Sequence, residues 1–350
     1  MSGGPGGEAP RLGEVHRDPE RNREPMRVTA VLVAYNRRDL LRESLEALAA
    51  QSRPVDRLVV VDNASDDDSA AVAAELLEHW GARGRLIQLT ENTGGAGGFA
   101  TGIAAAVAEE HLDWVWVMDD DTVPGPDALK GALAAHERYV QSGQDDLAVM
   151  GSRVVWTDGA DHPMNTPKAK IRASAAERRR AEAAGCMEIR SISFVSAFLR
   201  ADRVRDLGLP LADYFLWNDD FEYSARLLRG ARGLYVPDSV VTHKTAKRGS
   251  SDQDPGPRFF YEVRNKLWVF RTSPALFGWE KVLYAAATAR RWFRTFRASS
   301  DRAQLRDCLR RGWRDGWRTA PRSTRQVLRD TGVPVDVMVA VDKLSKLEER

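Results

Sequence analysis

Two short acidic tracts, Asp119-Asp120-Asp121 and Asp219-Asp220, are the residues of this chain whose types and spacing point most directly to chemistry. The first follows Trp114-Val115-Trp116-Val117-Met118, a run apolar enough to be a buried strand. Like charges at a strand end repel unless a cation or hydrogen bonds offset them. In extended backbone, residues two apart point the same way, so Asp119 and Asp121 can share one cation while Asp120 faces elsewhere. Carboxylate oxygens suit Mg²⁺ or Mn²⁺, ions that also bind diphosphates. In the second tract, Trp217-Asn218-Asp219-Asp220-Phe221-Glu222, Asp219 can serve the dipole of a starting helix. A displacement by a hydroxyl needs a base to take its proton as the new bond forms, and Asp220 is the candidate for that role. His243, in Val240-Val241-Thr242-His243-Lys244, ends another strand-like run and is either a structural histidine or a third metal ligand. Lys244, Lys247 and Arg248 beyond it either neutralise leaving-group phosphates or form a solvated basic loop.

The elements that must hold these tracts follow from the pattern after Val28, where short β-branched runs alternate with helical spacing. Strands are expected over 28–33, 57–61, 85–89, 114–118, 147–155, 191–199 and 233–241, and helices over 39–51, 66–80, 97–109, 173–184 and 219–228. Such alternation implies a largely parallel sheet with both faces covered, whose ligands sit beyond the carboxyl ends of the strands. Four of those ends are polar: Ala34-Tyr35-Asn36, Asp62-Asn63-Ala64-Ser65, Glu91-Asn92-Thr93-Gly94-Gly95 and the acidic triplet. Ser65 or Asp66 reads as a helix cap, whereas Asp62 is placed to accept from a base N–H or a ribose hydroxyl. Gly94-Gly95-Ala96-Gly97-Gly98 is either a flexible turn or backbone that passes close to a bulky ligand; it matches neither a Walker loop nor a GxGxxG fingerprint.

A chain of 350 residues with 43% apolar content supplies one large domain plus an appendage. Its net charge of +2 lacks the positive excess of a nucleic-acid-binding protein. Two cysteines, Cys186 and Cys308, are too few for a disulfide framework or a cysteine-based zinc site and fit a cytoplasmic location. Residues 1–26, rich in Gly, Pro, Arg and Glu, are expected to form a disordered tail; residues 27–255 form the catalytic domain and 256–350 a helical C-terminal region. No run of eighteen apolar residues occurs, so membrane contact is expected to be peripheral.

From about Arg27 to Arg248 these motifs together resemble the family 2 glycosyltransferases, which implies an α/β domain of GT-A fold, a Rossmann-like nucleotide-sugar-binding unit. The resemblance implies that Ala34, Tyr35, Asn36 and Asp62 hold the nucleobase and ribose. It further implies that Asp119–Asp121 is the metal- and diphosphate-binding tract, that Asp220 is the base beside Asp219, and that His243 joins Asp119 and Asp121 on the metal, Mn²⁺ or Mg²⁺. Asn92, Gly94, Gly95, Gly97, Gly98, Asp120, Trp217, Lys247 and, through a weaker match at Tyr261-Glu262-Val263-Arg264-Asn265, Arg264 are implied on the nucleotide sugar. The glycine tract together with Trp217-Asn218-Asp219-Asp220-Phe221-Glu222-Tyr223 looks most like bacterial galactofuranosyltransferases that begin the cell-wall galactan of arabinogalactan. That likeness implies UDP-galactofuranose as donor and a polyprenyl-diphosphate-linked rhamnosyl-GlcNAc as acceptor. A dTDP-rhamnose-dependent rhamnosyltransferase acting on a lipid-linked sugar is the nearest alternative.

Between Leu276 and Ala320 eleven Lys and Arg face four Asp and Glu, a local charge of +7, with Trp279, Trp292, Phe293, Phe296, Trp313 and Trp317 interleaved. Such helices lie on an anionic membrane surface, at the inner face of the plasma membrane, or form a solvated or homo-oligomeric appendage. A nucleotidyltransferase is disfavoured because the first strand leads into Ala34-Tyr35-Asn36-Arg37-Arg38 instead of a Gly-rich phosphate loop. A non-enzymatic protein that binds membrane or nucleic acid through the basic region is disfavoured by two acidic clusters that would repel phosphate without a metal.

Overall fold

A computed structural model of the chain describes residues 25–143, 145–245 and 254–347. β1 (Val28–Ala34), α1 (Arg38–Ala49), β2 (Arg57–Asp62), α2 (Ser69–Glu78), β3 (Gly84–Gln88) and α3 (Gly94–Val107) alternate as the sequence pattern requires. Next come β4 (Trp114–Asp119), β5 (Thr122–Pro124), α4 (Ala128–Gln141), β6 (Leu147–Val155), β7 (Lys168–Ala169), α5 (Ala175–Ala183) and β8 (Met187–Ser191). β9 (Ala197–Arg200), α6 (Ala201–Leu207), α7 (Asp219–Leu227) and β10 (Arg232–His243) complete the sheet. Five helices follow: α8 (Phe259–Arg271), α9 (Gly278–Ala298), α10 (Arg302–Arg318), α11 (Thr324–Leu328) and α12 (Val335–Ser345).

The strand order is β3-β2-β1-β4-β9-β6-β10-β8-β7, with β5 paired to β10. β1 pairs in parallel with β2 and β4, and β2 with β3. The chain therefore builds outward on one side of β1 and then returns to its other side, so the carboxyl ends of β1 and β4 part around a crevice. All seven residues of β1 are buried. Their side chains alternate, Val31 and Val33 entering the layer with α3 and α12, Ala30 and Leu32 the layer with α1, α2 and α4. α3 lies close on the sheet because Gly98 and Gly102, one turn apart, stack on Val33 and Val31, where a Cβ would overlap the valine methyls.

Three expectations are corrected. The sheet is mixed, not largely parallel: β9 runs antiparallel between β4 and β6, and β8 antiparallel to β10. The strand expected over 191–199 is two strands, because the Ser224 hydroxyl on α7 accepts the Ile192 N–H (3.1 Å) and donates to the Ile192 carbonyl (3.2 Å), replacing ladder partners and releasing the chain between them. The helix expected from residue 97 begins at Gly94, so the glycine tract is its first turn. The tail expected over 1–26 lies, through residue 24, outside the described residues, as do Lys247 and Arg248.

The C-terminal helices close over both ends of this frame. Val337 and Val341 of α12 are buried in the same layer as Val31, and Arg85 of β3 holds Asp336 through two hydrogen bonds of 2.7 and 2.9 Å. On β8, Glu188 is 4% exposed, and among the described residues neither carboxylate oxygen has a hydrogen bond. Burial pushes its carboxyl up to about 7 from an ordinary 4.5, against the pull of Lys170 and Arg232. The folded state thus holds this proton more tightly than the unfolded chain, so stability is highest below the unfolded value and declines as pH rises toward the folded one. Glu188→Gln is expected to stabilise the protein at about pH 8 by on the order of 1–3 kcal/mol and to change little at about pH 4. Thermal denaturation at both pH values checks this; an equal effect at both would show that ionisation of Glu188 costs the fold nothing.

Candidate active site

The acidic triplet is seated by a short ladder. The chain leaves β4 at Asp119 and enters β5, whose Thr122 pairs opposite His243 on β10. The Lys244 N–H donates to the Asp121 carbonyl at 2.8 Å. His243 Nε2 is thereby brought to 3.1 Å from Asp121 Oδ1. The register of β10 depends on a bulge between Val236 and Val240, where Pro237 has no N–H to give the ladder. One carboxylate oxygen from each of Asp119 and Asp121 and one imidazole nitrogen of His243 lie within 4.8 Å of one another. Asp120 faces elsewhere, as alternation requires. Its Oδ2 accepts the Tyr35 N–H (2.9 Å) and its Oδ1 accepts from Arg37 (3.1 Å), so it braces the β1–α1 turn instead of standing free for a nucleotide.

The electrostatics are those of a cation site. Burial, reinforced by Asp121, pushes the Asp119 carboxyl up to about 7, and burial pushes Asp120 to about 6 against the pull of Arg37. Burial acts upward on Asp121 as well, but the hydrogen bond and charge of His243 together with Arg37 outweigh it and hold that carboxyl below its usual range. The imidazole is oriented from behind: the Asn165 side chain donates to Ser193 Oγ (3.1 Å), which leaves Asn165 Oδ1 to accept from His243 Nδ1 (2.9 Å). With the proton on Nδ1, the Nε2 lone pair faces a carboxylate oxygen, and only a proton or a metal ion between them makes that contact favourable. Apart from the His243 nitrogen, the buried Asp121 Oδ1 has no polar partner among the described residues, which fits a metal ligand. Two carboxylates and an imidazole suit Mn²⁺ or Mg²⁺.

The second acidic tract sits on a strained turn. Phe215, Trp217 and Asn218 have φ of 61°, 66° and 67°, each a cost of roughly 1–3 kcal/mol for a residue with a side chain. Asn265 of α8 fixes the turn by donating its amide to three carbonyls, Tyr214 (2.9 Å), Leu216 (2.9 Å) and Trp217 (2.8 Å). Arg264 Nη2 adds bonds to the carbonyls of Asp213 (2.7 Å) and Tyr214 (3.1 Å), so this arginine braces the turn as well. Gly94, at φ +71°, packs against the Phe215 carbonyl where any Cβ would collide. The turn delivers Asp219 and Asp220 to the first turn of α7. Asp219 is pushed well above the usual carboxylate range by burial, then by Asp220, and also by Asp119, so the two tracts face one crevice. Burial raises Asp220 too, opposed by the backbone N–H of Phe221, which Oδ1 accepts at 2.6 Å, and by the charge of Lys266.

At the far end of the crevice Asp62 is buried; Oδ2 accepts the Ser65 N–H at 3.4 Å and Oδ1 has no partner among the described residues. Ala34 is fully buried as the end of β1, Tyr35 is 41% exposed, and Asn36 Oδ1 accepts the Asp66 N–H at 2.6 Å. Asn92 is bound to Asn63 (3.1 Å) and to the Gly94 N–H (2.8 Å). A Cβ at Gly97 would overlap Thr93 and one at Gly98 would overlap Val33, so these glycines serve packing; only at Gly95 is the space open. Arg37, Asn63, Asn165 and Asn265 were not singled out from the sequence. Arg37 and Asn63 adjoin residues that were, whereas Asn165 lies in an insertion without periodicity.

A sequence profile for Glycosyl transferase family 2 matches residues 29–184. Galactofuranosyltransferase GlfT1 of Mycobacterium tuberculosis is 31% identical over 260 residues, covering 69% of this chain and 81% of that protein. The chain belongs to glycosyltransferase family 2. The Mycolicibacterium smegmatis GlfT1 is 31% identical over 209 residues, 58% of this chain and 65% of that one. Among solved structures, this glycosyltransferase is similar in fold to S. aureus TarS 1-349 in complex with UDP-GlcNAc, with TM-score 0.56 and 17% identity over 93% and 91% of the two chains. It is also similar in fold to GalNAc-T7 with UDP, GalNAc and Mn²⁺, with TM-score 0.53 and 13% identity over 79% and 58%.

Asn165→Ala removes the acceptor that fixes the His243 ring and is expected to weaken Mn²⁺ binding about 10–100-fold, measured by calorimetric titration of the metal alone. Unaltered affinity would remove Asn165 from the site.

Proposed function

We propose that this glycosyltransferase is an inverting, metal-dependent enzyme that moves galactofuranose from UDP-galactofuranose to a polyprenyl-diphosphate-linked rhamnosyl-GlcNAc acceptor in cell-wall galactan synthesis. The observation that carries the donor is the 31% identity to galactofuranosyltransferase GlfT1 across 81% of that protein. In this reading residues 27–255 make up the catalytic domain and 256–350 a helical region that meets the inner face of the plasma membrane or another subunit. Among the described residues no helix is long and apolar enough to cross a membrane.

The unpartnered Asp62 oxygen accepts from the base or ribose of the donor, beside the exposed Tyr35 ring. Asp119, Asp121 and His243 would hold a divalent ion, which would supply positive charge to the leaving diphosphate. Asp220 takes the acceptor hydroxyl proton on its Oδ2, since Oδ1 is held by the Phe221 N–H. As that proton transfers, the acceptor oxygen bonds to the anomeric carbon and the bond from that carbon to the diphosphate oxygen breaks, inverting the centre without a covalent enzyme intermediate. Burial makes Asp220 a stronger base than a solvated aspartate, and the charge of Lys266 opposes that rise.

Asp220→Asn is expected to lower kcat about 10²–10⁴-fold while leaving donor binding intact. Turnover equal to the parent enzyme would exclude Asp220 as the base. A binding and hydrolysis screen of UDP-galactofuranose, UDP-galactopyranose, UDP-glucose and dTDP-rhamnose, with Mn²⁺ or Mg²⁺ and with chelator, should select UDP-galactofuranose only with metal. Selection of dTDP-rhamnose would make the enzyme a rhamnosyltransferase.

A further inference from the structure

The helices beyond the sheet carry a surface that the transfer chemistry leaves unused. On α10, Leu309, Trp313 and Trp317 recur every fourth residue, and Arg306, Arg310, Arg314 and Arg318 form a parallel stripe one position away. With Trp292 of α9 the two stripes line a groove of about 950 Å³. Trp313 and Trp317 are 48% and 50% exposed, their ring centroids 6.3 Å apart. α9 adds Val282 and Phe293, 70% and 64% exposed, beside exposed Arg290, Arg294 and Arg297. Side chains this large and apolar, grouped in water, mark a contact surface. The local acids are already engaged, Glu280 by Arg190, Asp307 by Arg311 and Asp315 by Arg314. Among the described residues Arg306, Arg310 and Arg318 have no carboxylate ion-pair partner.

We propose that this groove docks the protein on an anionic phospholipid bilayer, an inference that rests on the lipid-borne acceptor of the reading above. Guanidinium groups bind phosphate through paired hydrogen bonds, and indole rings settle at the boundary between headgroups and acyl chains. A second copy of the chain is the poorer occupant, since a two-fold contact would bring a region of charge +7 against itself. The groove also connects to the base. Trp292 Nε1 donates to Glu262 Oε1 (3.1 Å), Glu262 Oε2 accepts from Asn218 (2.9 Å), and Asn218 directly precedes Asp219 and Asp220. A bilayer on this face would therefore lie against the helices that fix the turn carrying Asp220.

Full-length protein is sedimented with phosphatidylcholine vesicles alone and with vesicles containing about one-third phosphatidylglycerol. Binding is expected to be at least about tenfold tighter to the anionic vesicles, and R306E/R310E is expected to remove that preference. W313S/W317S should weaken vesicle binding and lose the accompanying indole emission shift. UDP affinity in solution, measured in parallel, should be the same in all three proteins, which establishes that the variants are folded; loss of UDP binding by the parent itself would instead strike at the glycosyltransferase mechanism. Equal binding to neutral and anionic vesicles, or variants that bind like the parent, would overturn the proposal. So would an assembly in solution that W313S/W317S dissolves, which would make the groove a subunit interface.

Discussion

Mutual repulsion among carboxylates held in one water-poor crevice is the constraint on which the rest of this structure depends. Asp119, Asp120 and Asp121 leave one strand, Asp219 and Asp220 open a helix, and burial pushes every one of them upward, outweighed only at Asp121 by His243 and Arg37. Left to themselves, such groups would take up protons or separate. They do not separate, because each tract is clamped by backbone its own element does not supply. The β5–β10 ladder holds Asp121 against His243, and α8 holds the turn before Asp219. Arg37, from the end of β1, bridges Asp120 and Asp121 at 3.1 and 2.5 Å.

The helices after the sheet have a structural duty that their composition does not announce. Three residues at positive φ precede Asp219, and such a turn persists only where its surroundings over-determine it. A single amide, Asn265, binds three of the turn's carbonyls, while Glu262 on the same helix binds Asn218 and is itself held by Arg291 and Trp292 of α9. The catalytic tract is thus folded between α3, through Gly94 against Phe215, and the α8–α9 pair. Cutting the chain near residue 255, where composition changes, would leave this turn without its clamp.

Much of this was legible before any coordinates. The short β-branched runs located β1, β2, β3 and β4 within a residue or two, and β1, β2 and β4, buried on both faces, spell themselves as nearly unbroken apolar runs. Strand-end polarity then pointed to the crevice, and two-residue spacing separated Asp119 and Asp121 from Asp120. Long-range contacts were not legible. Ser224 ends the ladder at Ile192 from another element, and no local pattern encodes that. The glycine tract read equally well as a ligand cradle or a turn, since sequence does not tell whether a missing Cβ makes room for a guest or for the chain itself. Here Gly94, Gly97 and Gly98 make room for Phe215, Thr93 and Val33. Arg264 carries a related lesson: an arginine near a candidate phosphate site binds carbonyls just as well, and strained turns offer carbonyls in number.

The division of oxygens within the acidic triplet explains why the fold tolerates the cluster and yet leaves it receptive. Asp120 gives both oxygens to the β1–α1 turn, and Asp121 gives Oδ2 to Arg37, so the fold neutralises the part of the charge that has no chemical work. What remains, Asp121 Oδ1 with Asp119 and the Nε2 of His243, is the part within one cation's reach. Arg37 offsets charge within the triplet and Lys266 does so at Asp220, while burial favours the neutral form of Asp219. Each of these lowers the negative charge that an anionic ligand would meet there. Asp219 and Asp220 accordingly differ despite adjacency: burial and its neighbour's charge favour the neutral form of the first, while Lys266 draws the second toward ionisation.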